Sequence, residues 1–193
     1  CRWLAHDVDI STHKLRVIHP WCGREELFSL TGIPQARKGP LRLVAYGRFA
    51  GEKNFAALIK AISLLPQGEI DLQLIGEGPE MAAMREAAGE NPDIHFRGRI
   101  DDPATFLDDC HAVIVPSRHE AFGLVATEAR MAARPILVAD VDGLPEQVGA
   151  AGLARPMRTP QEIAAAIDEF AQLPLPELGH AGRFEVSGLP DAI

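Results

Sequence analysis

Cysteine is scarce in this chain. Cys1, Cys22 and Cys110 are its only three among 193 residues, and they lie far apart. No pair has the C-x-x-C spacing of a zinc ribbon, and an odd, scattered set builds no disulfide framework; the three read as reduced thiols of a cytosolic protein. Long apolar runs are missing as well. Nothing approaches the roughly 20 residues that span a bilayer, and no signal peptide is evident. The chain opens at Cys1-Arg2-Trp3-Leu4 without an initiator Met and reads as a fragment. Basic charge is the third shortage: 19 Lys and Arg against 27 Asp and Glu leave a net charge of -8 and a pI near 5.3. A nucleic-acid surface normally shows as a basic excess, so nucleic acid is not an expected partner. An anionic substrate would need a local cationic pocket instead.

What is present is ordinary globular composition, with 47% apolar and 24% charged residues. That excludes disorder, and the length suits one domain with its own core. From Leu41 onward short apolar runs alternate with amphipathic stretches. Strands are expected at Leu41–Tyr46, Ile70–Ile75, Ile94–Arg97, Ala112–Val115 and Pro135–Ala139, with a weaker sixth at Gly152–Arg155. Helices are expected at Asn54–Leu65, Pro79–Gly89, Pro103–Cys110, Gly123–Ala133 and Pro160–Leu173, three of them with Pro at or near the start, where a missing N–H costs nothing. Repeated strand–helix–strand units imply an α/β fold, a Rossmann-like parallel sheet with helices on both faces. Residues 1–38 read as a linker segment, with one more strand at Val17-Ile18 and a loop from Gly32 to Pro40. Residues 39–175 read as the domain. Residues 176–193, punctuated by Pro and Gly and weakly periodic, read as a tail.

Ligands of such sheets bind outside the carboxyl ends of the strands, so the loops after each strand carry the chemistry. Gly47-Arg48-Phe49-Ala50-Gly51-Glu52-Lys53 can set two cations, Arg48 and Lys53, beside a helix N-terminus, which is how a diphosphate is held; the same residues also fit two solvated surface charges. Gly76-Glu77-Gly78-Pro79 begins like a dinucleotide fingerprint, but Met81 leaves it incomplete, and it reads as a tight turn. After the fourth strand, Glu120 lies in the loop and Glu128 inside a nearly all-apolar helix, leaning towards its mouth. A Glu among Leu124, Val125, Ala126, Ala129 and Met131 needs a partner: a ligand, Arg130 or Arg118, or else an exposed stripe. Asp140-Val141-Asp142-Gly143 admits a metal pair or the nucleophile and acid of an Asp-x-Asp phosphatase. The latter normally begins at this motif and needs a downstream Lys, and no Lys follows Asp142. His119-Glu120 is not followed by the second His of an HExxH zinc site, and no GxSxG elbow or P-loop occurs.

GRFAGEKN, IGEGPE, HFRGRI, VIVPSRHEAFGLVATEA, DGLPEQV and GLARP, in this order over about Leu41 to Leu173, closely resemble family 4 glycosyltransferases. The match is to the carboxy-terminal, nucleotide-sugar-binding half of a GT-B enzyme, and VIHPWCGREELF resembles the segment that joins the halves. The resemblance implies retaining sugar transfer from a nucleotide-diphosphate sugar, without a metal or other cofactor. It implies that Arg48 and Lys53 neutralise the diphosphate and that Glu120 holds the sugar hydroxyls. Phe122 and Gly123 would contact the sugar through their N–H groups, and Leu124 and Val125 the distal phosphate. Glu128 would hold the ribose, and the base would pack near Gly98–Ile100, with Arg99 beside it. The acceptor site would belong to an amino-terminal half, so the fragment is expected to bind donor without turnover. The full enzyme is expected in the cytoplasm, a peripheral association with the inner membrane face remaining open.

Two departures stand out. Ala133-Arg134 replace the usual Gly after the Glu128 helix, which would loosen its C-cap, and Asp142 stands where Gly commonly pairs with Gly143. Competing readings are a nucleotide-sugar epimerase of the same fold, a non-catalytic nucleotide-binding module, and the Asp-x-Asp phosphatase. Base, sugar, acceptor and oligomeric state are not encoded in these motifs.

Overall fold

A computed structural model describes residues 7, 11–15, 20, 22–33 and 39–187; Cys1 and the strand expected at Val17-Ile18 lie outside them. Six strands, β1 (Leu41–Tyr46), β2 (Ile70–Ile75), β3 (Ile94–Gly98), β4 (Ala112–Val115), β5 (Ile136–Ala139) and β6 (Gly152–Arg155), form one sheet in the order β3-β2-β1-β4-β5-β6. Every adjacent pair is parallel. All six expected strands are present within one residue at either end. The central β4 and β5 are buried at every position because helices cover both faces. At the β3 edge Ile94 is buried while His95 and Arg97 are exposed. Each fully buried Leu, Ile or Val of this core contributes about 1.5–3 kcal/mol by leaving water.

The helices are α1 (Phe55–Ile62), α2 (Met81–Ala88), α3 (Ala104–Leu107), α4 (Leu124–Met131), α5 (Leu144–Val148), α6 (Pro160–Ala171) and α7 (Leu175–Ser187). The first four and α6 match the expected set with trimmed ends. A capping box starts α6: the Glu162 N–H donates to Thr159 Oγ1 at 3.2 Å, and the Thr159 N–H to Glu162 Oε2 at 3.0 Å. Helix α7 departs from the expectation of a tail. Its buried stripe is Leu175, Gly179, Gly182 and Val186, a helical spacing half made of glycine, which hydropathy does not register. Those glycines let the helix pack backbone to backbone: a Cβ on Gly179 would come within 2.3 Å of the Ala133 carbonyl.

The C-cap of α4 is not loosened by the missing glycine. Ala133 takes the left-handed conformation itself, at φ 52°, and the Arg134 N–H still reaches the Ala129 carbonyl at 2.8 Å, as in a Schellman cap. The Arg134 side chain is 1% exposed. It donates to the carbonyls of Leu107 (2.5 Å), Thr31 (2.8 Å), Ala132 (2.9 Å) and Asp108 (3.1 Å). From α7, Arg183 adds bonds to Met131 O (2.8 Å) and Leu30 O (2.7 Å). Residues 22–33 are thereby tied to the domain, with Leu27 fully buried in its core.

Candidate functional site

The strand order reverses between β1 and β4, the switch point at which ligands of such sheets bind, in the crevice outside the carboxyl ends of the strands. The β1–α1 loop is held from below by Phe49, which is fully buried and meets Phe55 and Phe96 edge-on at 5.6 and 6.4 Å. Its backbone pairs with the β2–α2 turn: Phe49 N–H donates to Glu77 O at 2.9 Å and Glu80 N–H to Phe49 O at 3.0 Å. The GxG segment is therefore a tight turn stitched to its neighbour, as its sequence implies. Asn54 ends the loop in the left-handed region at φ 59°. Its amide donates to Met157 O (2.9 Å), and its Oδ1 accepts from Arg118 Nε (3.0 Å). The Arg118 N–H donates to Glu52 O at 2.7 Å. This stitching brings Lys53 and Glu120 together: Lys53 Nζ pairs with Glu120 Oε2, and both side chains are about four-fifths buried.

Beyond Glu120 the chain passes the half-buried Phe122 and turns at Gly123 into α4. The helix has no side-chain N-cap. The N–H groups of its first residues, Leu124 and Val125, have no intrahelical acceptor by construction, and the macrodipole makes this mouth favourable for an anion.

Glu128 finds neither of the arginines the sequence offers it. Arg130 pairs with Glu185 at 2.8 Å, and Arg118 is engaged by Asn54. Its partner is Tyr46, at the end of β1, whose hydroxyl lies 2.7 Å from Glu128 Oε2 and 3.2 Å from Val125 O. The carboxylate is thus held alongside the first turn of its own helix. Burial raises the Glu128 carboxyl above the ordinary carboxylate range, opposed by the Tyr46 hydrogen bond and the positive charge of Arg24. Burial, with the Glu128 charge beside it, likewise drives the Tyr46 hydroxyl well above its usual value. Cys22, from the same segment as Arg24, places its thiol 3.3 Å from Met131 Sδ.

Arg48 stands on the wall of an open cavity of about 380 Å³ at the carboxyl ends of β1, β2 and β3, lined by Gly47, Arg48, Ile75, Glu77, Arg99 and Ile100 among others. Arg99 is largely exposed and bonded through Nε to Asp101 at 2.7 Å. Arg24 reaches the same rim, its Nη2 lying 3.3 Å from Asp101 O. The sequence-identified residues therefore form three adjoining groups: Lys53 with Glu120, Glu128 beside the mouth of α4, and Arg48 with Arg99 at the cavity. Tyr46, Asn54 and Arg24 were not singled out from the sequence. Tyr46 gave one faint signal, a polar tip ending an apolar strand. Among the described residues no group of three His, Cys, Asp or Glu could hold a metal ion.

Fold and site together define a Rossmann-like module with the Lys53–Glu120 pair and the uncapped start of α4 at its switch point. Comparison with known proteins makes this specific. The family profile described as glycosyl transferases group 1 matches residues 40–172, and the chain belongs to that family. It is 31% identical over 130 residues to an uncharacterised glycosyltransferase of Methanocaldococcus jannaschii, covering 64% of this chain and 36% of that protein. It is 32% identical over 174 residues to a D-inositol 3-phosphate glycosyltransferase of Mycolicibacterium gilvum, covering 79% and 38%. The chain thus spans well under half the length of these relatives. Among solved structures, Anabaena HepE in complex with UDP and glucose superposes with a TM-score of 0.69 at 21% identity, covering 77% of this chain and 44% of that one. A sucrose-phosphate synthase of Thermosynechococcus elongatus gives 0.67 at 29% identity, covering 89% and 45%. The sheet and its flanking helices are those of a GT-B domain.

Proposed function

We propose that residues 39–175 are the donor-binding domain of a retaining glycosyltransferase and bind a nucleotide-diphosphate sugar across the β1/β4 crevice. The observation that carries this reading is the convergence of Lys53, Glu120 and the uncapped mouth of α4 at one switch point, with Glu128 held beside it by Tyr46. Lys53 and Arg48 neutralise the diphosphate, joined by the N–H groups of Leu124 and Val125. Glu120 and the N–H groups of Phe122 and Gly123 address the sugar. Glu128 accepts from the ribose hydroxyls, and the base fills the cavity beside Arg99. As the bond from the anomeric carbon breaks, its electron pair leaves on the diphosphate, where fixed positive charge is already aimed; such a preorganised donor contributes about 2.7–4 kcal/mol to a transition state. The acceptor hydroxyl attacks that carbon from the face the diphosphate leaves, and its proton passes to an oxygen of the departing diphosphate. In this reading Glu120 positions the sugar and is not the nucleophile, no metal is required, and the acceptor is held by a second domain outside these residues, leaving this chain to bind without turnover. UDP bound to HepE supports a nucleotide diphosphate as ligand.

Calorimetric titration with UDP, GDP and ADP in the presence of a chelator tests this. One nucleotide is expected to bind selectively, and Lys53→Ala and Glu128→Ala each to weaken it at least about tenfold, or 1.4 kcal/mol. Binding that needs magnesium and survives both substitutions would overturn the assignment and return attention to Asp140 and Asp142.

A further inference from the structure

The Asp-x-Asp motif at the end of β5 has no part in the donor site as described. Its first carboxylate is exposed, and the Asp140 backbone is tied to β6 through a 2.9 Å bond from its N–H to Arg155 O. Asp142 is different. It is one of three non-glycine residues with positive φ among the described residues, at 47°, a conformation that side chains make costly and that Asp tolerates better than most. Its carboxylate bends back to the β4–α4 loop, where Oδ2 accepts the Glu120 N–H at 2.9 Å. The adjacent Gly143 N–H donates to the Glu120 carbonyl at 3.2 Å. Both backbone polar groups of Glu120 are thereby fixed by the β5–α5 loop. The two loops also touch: a Cβ on Gly143 would come 2.3 Å from the Ala121 carbonyl. His119 Nδ1 lies 3.7 Å from the same Oδ2, but its ring is 83% exposed, and a contact so open to water contributes little.

We infer that Asp142 is a positioning residue for Glu120: its carboxylate serves as a backbone cap that sets the β4–α4 loop before any ligand arrives. It acts neither as a metal ligand nor as a nucleophile. With its main chain held from one side and its carboxylate by Lys53 from the other, Glu120 has little freedom left to lose on binding, which is the benefit of preorganisation. The functional part of this inference rests on the reading of Glu120 as the group that faces the donor sugar.

Asp142→Gly and Asp142→Asn separate the cap from the backbone conformation. Glycine relieves the positive φ and removes the acceptor; asparagine tolerates that φ and keeps an amide oxygen as acceptor. The first readout, amide hydrogen exchange at Glu120, needs no ligand. Exchange is expected to accelerate at least tenfold in Asp142→Gly, with thermal stability retained, and to stay within about twofold of the parent in Asp142→Asn. The second readout is the ratio of UDP-glucose to UDP affinity. Where Glu120→Gln lowers that ratio, Asp142→Gly should lower it too and Asp142→Asn should keep it at the parent value. Parent-like exchange in Asp142→Gly would overturn the cap. Accelerated exchange with an unchanged ratio, in a protein where Glu120→Gln does lower it, would overturn the positioning role. A ratio that Glu120→Gln leaves untouched counts against the donor-site reading instead, and the exchange result still decides the cap.

Discussion

At the N-terminal end of α4 the charged groups are paired but reachable: Lys53 with Glu120, and Asp142 on the Glu120 backbone, around a helix mouth without a side-chain cap. At its C-terminal end Arg134 is 1% exposed, and its donors are occupied by four main-chain carbonyls from three stretches of chain. The same contrast holds for backbone conformation. Asn54 and Asp142, by the crevice, turn left-handed and use their side chains to tie loops together. Ala133, at the far end, turns left-handed with no polar side chain to use. One end holds its charged groups in side-chain pairs, and at the other releasing a donor takes a charge-assisted bond from a main-chain carbonyl. The division between site and scaffold runs along a single eight-residue helix.

The largest effect should come from the buried end. Arg134→Met leaves four carbonyls without charge-assisted donors worth about 1.5–3 kcal/mol each, partly offset because a buried cation no longer needs desolvating. A net loss of about 3–5 kcal/mol is expected in urea unfolding, with nucleotide affinity of the folded fraction unchanged by calorimetry. If affinity fell in step with stability, the two ends would be coupled and the comparison broken.

Glu128 sharpens the comparison because it lies between the ends. Its folded-state pKa is raised by burial, so the folded chain holds that proton more tightly than the unfolded chain. The sign follows: ionised Glu128 costs stability above its raised pKa, and the cost fades as pH falls towards the ordinary Glu value of about 4.3. Glu128→Gln should therefore raise the melting temperature at pH 7, and variant and parent should converge near pH 4. Nucleotide affinity should fall by about tenfold, since an amide oxygen accepts more weakly from hydroxyls than a carboxylate does. Equal melting curves at pH 7 and pH 4 would remove Glu128 from the set of groups that function keeps at the expense of stability.

How much of this was legible in the sequence varies with what each residue depends on. The strands were legible because central parallel strands are buried on both faces, so LRLVAY, AVIV and ILVA declare themselves without tertiary information. Helix α7 was not, because half of its buried stripe is glycine, whose value is close approach and not hydrophobicity. Lys53 and Glu120 could be singled out from the loops that carry them, although their pairing 67 residues apart could not. The need of Glu128 for a partner was visible in its apolar surroundings. Tyr46 as that partner was not, since it stands 82 residues away, on a strand across the crevice. Arg134 read as a loss at a helix end, whereas the fold makes it a clamp whose acceptors are main-chain carbonyls, which no side-chain pattern advertises.

The smallest expected effect isolates backbone strain. Ala133→Gly relieves a left-handed alanine, a gain of about 1–2 kcal/mol reduced by the greater freedom glycine has in the unfolded chain. A net stabilisation of about 0.5–1 kcal/mol should remain, visible as a rise of about 1–4 °C in melting temperature. Exchange at Glu120 and affinity for nucleotide should not move, because the side chain removed carries no hydrogen bond and the Arg134 cap to Ala129 is made by backbone alone. The same replacement at Asp142 relieves the same strain and deletes an acceptor. The pair of variants therefore measures what a side chain in a left-handed turn contributes beyond its conformation. If Ala133→Gly also loosened Glu120, strain at the buried end would be part of what holds the crevice in shape.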